Sequence, residues 1–329
     1  MWREIKKVIH QHQSFLLTTH INPDGDGIGS ACALIELLKM MDKTVQFVCD
    51  SPIPSKFQFL DFHSLHHPFH PDQEFPEAEV LIMVDTHNQE RIGRLATFIE
   101  NPKITTICID HHELSETVTS YSAIDPHASS TGSMIYTLFK ECGYDLNLRA
   151  AMGIYASIVC DTGRFCYSST DRKAHKIAEE CIKKGVDPDW MYAHLFRQVT
   201  LSEFKILAKV LENMEIHCDD RILVQQLSRR DCEELGEDIT ETLHSDLEYV
   251  HEFNKHVVGI ECAVLLRDMQ DGTIRISLRS HTDIPIDELT RSLGGGGHQK
   301  AAGATVKGTL EEVKLKVITL LSEALQNFR

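Results

Sequence analysis

The chain has 329 residues, more than one hydrophobic core usually serves, so two domains are expected. Its apolar fraction of 42% is that of an ordinary folded protein, while a formal net charge of −16 argues against a general DNA or RNA binder, which needs a basic face to displace counterions. Ten cysteines without a CxxC pair exclude a zinc ribbon or a disulfide framework and point to reduced thiols in a cytoplasmic protein; no signal-peptide core or membrane-length apolar run is present.

In chain order, "FLLTT" (15–19) reads as a strand and "IGSACALIELLKMM" (28–41) as a helix with apolar residues recurring at three and four. "TVQFVCD" (44–50), "AEVLIMVD" (78–85) and "ITTICID" (104–110) are further strands. Apolar strands separated by helices predict a parallel sheet covered on both faces. The histidine-rich "HSLHHPFHP" (63–71) reads as a solvated loop rather than a metal site, because its prolines interrupt any period. Residues 130–143 and 148–161 read as helices, the first closed by Gly143. The stretch 171–215 is helical with a break at "DPDW". From 216 the texture changes: 219–228, 256–268 and 272–280 read as strands of a mixed sheet, 294–306 as a glycine-rich loop, and 309–328 as a closing helix. The expected architecture is α/β: an N-terminal parallel-sheet domain (1–190) with helices on both faces, a helical linker (191–215), and a smaller mixed-sheet α/β domain (216–329).

His20 follows one predicted strand, Asp85 and Asp110 end two others, and ligands of open parallel sheets bind at that carboxyl edge. His20, Asp24, Asp26, Asp85, Asp110, His111, His112 and Asp161 therefore converge. Singly, each has a simpler reading as a turn or helix cap. Jointly, five aspartates on one rim repel one another and are driven toward neutrality unless cations are present. Aspartate and imidazole without thiolate suit Mn²⁺, Mg²⁺, Fe²⁺ or Co²⁺, and so many ligands suit two ions.

"HINPDGDGIGS", "VDTHNQERIG", "IDHHE" and "CDTGRF" resemble the four motifs of the DHH phosphoesterase family, and "GGGGHQKAAGA" resembles the signature of its DHHA1 domain. Length and two-domain form are most similar to the bacterial oligoribonuclease (nano-RNase) and pAp phosphatase branch. The resemblance implies that His20 and Asp24 hold one metal, that Asp26, His111 and Asp161 hold a second, and that Asp85 bridges them. It implies a catalytic pair in Asp110, orienting His20 or His111, and His112, facing the scissile phosphate. Mn²⁺ is the expected ion.

In the second domain, Arg275, Ser277 and Arg279 share one face of a strand, either as a solvated sheet face or as a cationic fork for phosphate. The glycines 294–297, leading into "HQKAA", suggest backbone N–H groups at a helix start, an anion site through Gly296 and Gly297. The resemblance implies nucleotide contacts from Arg279, Ser280 and His298. The expected activity is metal-dependent hydrolysis of di- and short oligoribonucleotides to 5′-mononucleotides, with pAp 3′-phosphatase activity alongside. Long nucleic acid is not expected, since aromatics are only 7% of residues and no basic stripe is visible. Alternatives are a linear-dinucleotide (pApA or pGpG) hydrolase, a non-catalytic nucleotide-binding regulator, and an RNA-binding module of the kind found in alanyl-tRNA synthetases. An inorganic pyrophosphatase is disfavoured, because its basic "SRKKQ" motif is absent. The apolar helices offer either core or a homodimer face, and no membrane partner is expected.

Overall fold

The structure, a computed structural model, describes residues 1–64, 66–68, 77–113, 119–236, 247–254, 256–282 and 284–327. The chain divides into two compact units, 1–198 and 199–329.

Unit 1 opens with α1 (Trp2–Gln11), whose Ile5, Val8 and Ile9 make one buried stripe. It continues through β1 (Ser14–Thr18), α2 (Gly25–Met40), β2 (Thr44–Cys49), a 3₁₀ turn at Ser55–Leu60, β3 (His66–Pro68) and β4 (Val80–Val84). A 3₁₀ segment at Gln89–Phe98, β5 (Thr105–Asp110), β6 (Tyr121–Ile124), α3 (Thr131–Cys142), α4 (Leu148–Asp161), α5 (Arg172–Lys183) and α6 (Pro188–Phe196) complete it. The sheet order is β3-β2-β1-β4-β5-β6, with every neighbouring pair parallel. Side chains alternate between its two faces. Phe15, Leu17, Phe47, Ile82 and Val84 join the α-helices in one core. Leu16, Val48, Leu81 and Met83 pack on Ile92, Leu95 and Phe98 of the 3₁₀ segment on the other face. Strand order runs outward in opposite directions from β1 and β4, so the crevice where ligands bind in such sheets lies at the carboxyl ends of these two strands.

Helix α1, the two 3₁₀ segments, β3 and β6 go beyond the elements expected for unit 1. Strand β6 is short, and its edge position leaves only Ala123 fully buried, so it lacks an apolar signature. The histidine-rich segment is not a loop throughout. Residues 66–68 pair with β2, and the His66 ring meets the edge of Phe47 at 5.6 Å between centroids. His63 packs its Nε2 2.5 Å from the buried Glu36. Residues 65 and 69–71 of that segment lie outside the described residues.

Unit 2 comprises α7 (Leu201–Glu212), β7 (Glu215–His217), β8 (Ile222–Leu227), α8 (Arg229–Leu235), α9 (Glu248–Asn254), β9 (Cys262–Asp268) and β10 (Thr273–Ser280). It ends with α10 (Ile286–Ser292), β11 (Gly296–His298), β12 (Ala301–Lys307) and α11 (Leu310–Asn327). Its sheet, β11-β12-β10-β9-β8-β7, is mixed, with β8 and β9 parallel and the other pairs antiparallel. Val313, Val317, Leu321 and Leu325 of α11 cover one face. Helices α7, α8 and α9 gather around Leu227 and Leu265 in a second core. The glycine-rich stretch departs from expectation. It leaves α10 through Gly294 in the left-handed region (φ 78°) and returns as the antiparallel pair β11–β12. The glycines thus follow a helix end and do not precede a helix start, so the expected helix-terminal anion site is not formed. Gly296 and Gly297 pair with Gly303 and Ala302 of β12, so closely that a Cβ on Gly297 would strike Ala302.

The backbones of α2 and α4 touch. A Cβ on Gly29 would strike the Gly153 carbonyl, and one on Gly153 would strike the Gly29 carbonyl. Gly29→Ala gains about 1 kcal/mol of helix propensity, but overpacking costs about 1–3 kcal/mol, and a backbone carbonyl cannot swing aside. The variant is expected to melt at a lower temperature than the parent by circular dichroism. An unchanged or higher melting temperature would show that the crossing has room to spare.

Candidate metal centre

Strand β1 delivers His20 to the sheet edge, 5% exposed. Its Nδ1 lies 2.9 Å from the Ile21 carbonyl. A carbonyl only accepts, so Nδ1 carries the proton and Nε2 presents a lone pair. That Nε2 faces Asp24 Oδ1 at 3.7 Å and Asp85 Oδ2 at 3.4 Å. His111, just past β5, repeats the arrangement. Its Nδ1 donates to the Ala128 carbonyl at 3.2 Å. Its Nε2 lies 3.4 Å from Asp26 Oδ2, 3.7 Å from Asp85 Oδ1 and 3.3 Å from Asp161 Oδ2.

Asp24 caps α2, accepting from the amides of Asp26 and Gly27 at 2.9 and 3.1 Å. Burial opposes its ionisation, but a His20 ring with protons on both nitrogens, together with these two amides, outweighs that and holds it down at about 2. Asp26 is 1% exposed and fully engaged. Its carboxylate accepts from Ser30 Oγ (3.0 Å), Ser157 Oγ (2.5 Å) and the amides of Thr131 (2.8 Å) and Gly132 (3.1 Å). One side chain thereby fixes the meeting of α2, α3 and α4. Asp85 follows β4 with φ 62° and is 1% exposed. Burial, then the charges of Asp26 and Asp24, push its carboxyl well above the usual range. Asp161 is the last residue of α4, where the helix carbonyls also disfavour a negative charge. Burial and then Asp26 push it up to about 7.

Three groups of potential ligand atoms result, each within 4.8 Å of one another: His20, Asp24 and Asp85; Asp26, His111 and Asp161; and Asp85, His111 and His112. All six expected metal ligands and His112 fall in these groups. The chemistry of the donor set fits a divalent cation. Two imidazole nitrogens and four carboxyl groups face one space, and His111 Nε2 is buried with no hydrogen-bond partner among the described residues. A cation suits both, and carboxylate with imidazole is a hard-to-borderline set.

Asp110 differs from expectation. It bonds His112 Nδ1 (2.8 Å) and His87 Nδ1 (2.6 Å), not His20 or His111. Side chains alternate along a strand end, so Asp110 points away from its neighbour His111. Burial opposes the ionisation of Asp110, but the two histidines outweigh it and hold its carboxyl well below the usual range. Asp110 in turn raises the ring pKa of His112. Sequence reasoning missed His87, Thr131, which donates to Asp85 Oδ1 at 3.1 Å, and Ser157. The small-polar run "SSTGS" (129–133) ahead of an apolar helix was the available signal for Thr131.

In unit 2, burial alternates along β10, with Arg275, Ser277 and Arg279 on its more open face. They line a cleft of about 560 Å³ with Gly294 to Gly297. Ser280, expected beside Arg279, faces the other way. It is 6% exposed and donates to the Thr282 carbonyl at 3.0 Å. The side chain of His298 lies outside the described residues.

Asp161→Asn removes a charge that the metal-free fold disfavours. The metal-free variant is expected to gain about 0.5–1 kcal/mol of stability at pH 8, with a smaller Mn²⁺-induced rise in melting temperature. Because Asp161 is raised to about 7 in the fold, the gain should shrink as pH falls from 7 toward 4. Thermal scans with and without Mn²⁺ read both effects, and a gain that grew toward low pH would refute the assignment.

The family model for the DHH family, N-terminal domain, matches residues 14–161, and that for the DHHA1 domain matches residues 247–327. The chain is 31% identical over 311 residues to the bifunctional oligoribonuclease and PAP phosphatase NrnA of Bacillus subtilis, covering 93% of each. It is 27% identical over 319 residues to the Thermus thermophilus protein of the same name, covering 94% of this chain and 89% of that one. Among solved structures, an exopolyphosphatase-related protein from Bacteroides fragilis matches with a TM-score of 0.86 at 26% identity, over 99% of this chain and 96% of that one. The motifs, the sheet edge that gathers them and these similarities lead to one conclusion: the chain belongs to the DHH family, with a DHHA1 domain as its second part.

Proposed function

We propose that the protein is a divalent-metal-dependent phosphoesterase. It hydrolyses di- and short oligoribonucleotides to 5′-mononucleotides and removes the 3′-phosphate of pAp. The observation that carries this reading is the position of Asp85. Its Oδ2 faces His20 while its Oδ1 faces His111, so one carboxylate belongs to both sides of the ligand set. Similarity to two proteins named as oligoribonuclease and PAP phosphatase, over nearly the full length of each, supports the substrate class.

In this reading His20 and Asp24 would hold one ion and Asp26, His111 and Asp161 the other, with Asp85 available to both. Manganese is the proposed metal, on the carboxylate-imidazole donor set. Bound divalent ions supply Lewis acidity for the phosphoryl oxygens and make an attacking water acidic near neutral pH. The chain's own part is positional. The Ile21 and Ala128 carbonyls hold His20 and His111 in the Nδ1–H tautomer, so that each offers Nε2. His112 is 45% exposed in its side chain and uses Nδ1 toward Asp110. Its Nε2 is thereby assigned to the reacting phosphate or its leaving oxygen. Within unit 2, the cleft of Arg275, Arg279, Gly296 and Gly297 has the chemistry of a phosphate subsite, since guanidinium groups bind phosphate bidentately. The reduced state of the cysteines and the substrate class accord with a cytoplasmic enzyme.

The test is a turnover panel with Mn²⁺ and with chelator, using an RNA dinucleotide, a pentamer, a long single strand, pAp and pApA. Metal-dependent loss of the dinucleotide, pentamer and pAp, with the long strand spared, is the expected result. Asp85→Asn should reduce turnover to background while the fold survives, because asparagine tolerates the left-handed backbone at this position. Near-parental turnover by that variant would sink the shared-ligand reading.

A further inference from the structure

We propose that His87 is a positioning residue that acts on His112 through Asp110. The inference rests on the assignment of His112 to the reacting phosphate.

Asp110 is fully buried and has no access to solvent for its lone pairs. Its Oδ1 accepts from His112 Nδ1 at 2.8 Å and from the His112 amide at 3.2 Å. Its Oδ2 accepts from His87 Nδ1 at 2.6 Å. An ionised carboxylate only accepts, so both rings must carry a proton on Nδ1. The bond to His87 therefore fixes the rotation of the Asp110 carboxylate, and the carboxylate fixes the tautomer and ring position of His112. The nitrogen left for substrate is His112 Nε2.

The fold makes this clamp local and stiff. His87 stands two residues beyond Asp85, and the amide of Asp85 is tied to the Ile109 carbonyl at 3.0 Å, next to Asp110. The strand ends of β4 and β5 thus carry both halves of the contact. His87 is 11% exposed in its side chain, so water competes little for the bond. His87 belongs to none of the three ligand groups found among the described residues. Its removal should therefore leave ion binding intact while loosening His112. A carboxylate that loses its Oδ2 partner inside the protein turns to recover one, and His112 loses the single orientation in which Nε2 is aimed.

The experiment is a double-mutant cycle on the full chain with Mn²⁺ and an RNA dinucleotide, using His87→Ala, His87→Asn, His112→Ala and the His87→Ala/His112→Ala pair. Mn²⁺-induced thermal stabilisation is measured on each variant. His87→Ala should lower kcat about 10–100-fold with KM changed by less than about twofold and the Mn²⁺ response unchanged. His87→Asn should recover most of the loss, because its Nδ2–H can reach Oδ2 in place of the ring N–H. Adding His87→Ala to His112→Ala should cost nothing further, since the residue acts only through that ring. An equal loss in the His112→Ala background, no recovery by asparagine, or a diminished Mn²⁺ response would each overturn the proposal. Parental turnover by His112→Ala would instead show that the underlying assignment of His112 is wrong, and the inference would fall with it.

Discussion

The structure is organised around carboxylates crowded at one edge of a parallel sheet. Asp26 and Asp85 are each 1% exposed, and Asp24 and Asp161 approach the same space. Burial and the charges of their neighbours act most on Asp85 and Asp161. The fold does not relieve this uniformly. Asp24 and Asp110 have donors enough to stay ionised, whereas Asp85 and Asp161 are pushed up toward the neutral form. That division suits an edge that attracts cations: some acids are kept charged by the protein, and others favour the charged form only beside an added positive charge.

Asp26 shows how closely site and scaffold are joined. Its four donors come from α2, α4 and the first turn of α3, so the carboxylate closes the helix layer as well as facing the ligand space. The amides of Thr131 and Gly132 lie in the first turn of α3, where no intrahelical acceptor is available, and the Asp26 carboxylate takes both, an anion being favourable at a helix start. Small residues make the approach possible. A Cβ on Gly132 would strike Ser157, and one on Gly27 would strike Thr19. The glycine spacing in "GDGIGS" is thus a packing requirement of the site itself.

Much of this was legible in the sequence because the central strands are apolar on both faces. Strands β1, β4 and β5 announce themselves, and the polar residues that end them stand out against that background. Adjacency misled where direction mattered. Asp110 sits beside His111 in sequence but points to His87 and His112. Ser280 sits beside Arg279 but occupies the opposite face of β10. His87 carried no signal of its own, since a histidine in a polar turn is ordinary until the neighbouring strand brings Asp110 to it. The glycine run 294–297 is compatible with a loop, a helix start or a strand, and its second half pairs with the small residues Ala302 and Gly303 of β12, far enough along the chain that the run itself does not show it.

The left-handed backbone at Asp85 has a consequence for the chemistry open to this edge. A φ of 62° is comfortable for glycine, asparagine and aspartate and costly for most other residues. Of those three, only aspartate is a charged ligand. The strand end therefore selects by conformation the same residue that coordination would select by charge. Glutamate would carry the charge on a longer stem into a backbone it resists, and cysteine would bring a softer donor at the same conformational cost. A single change toward a thiolate would therefore carry a conformational cost at the turn after β4 as well as a change of donor. Oxygen chemistry at the centre is in this sense written into the path of the main chain.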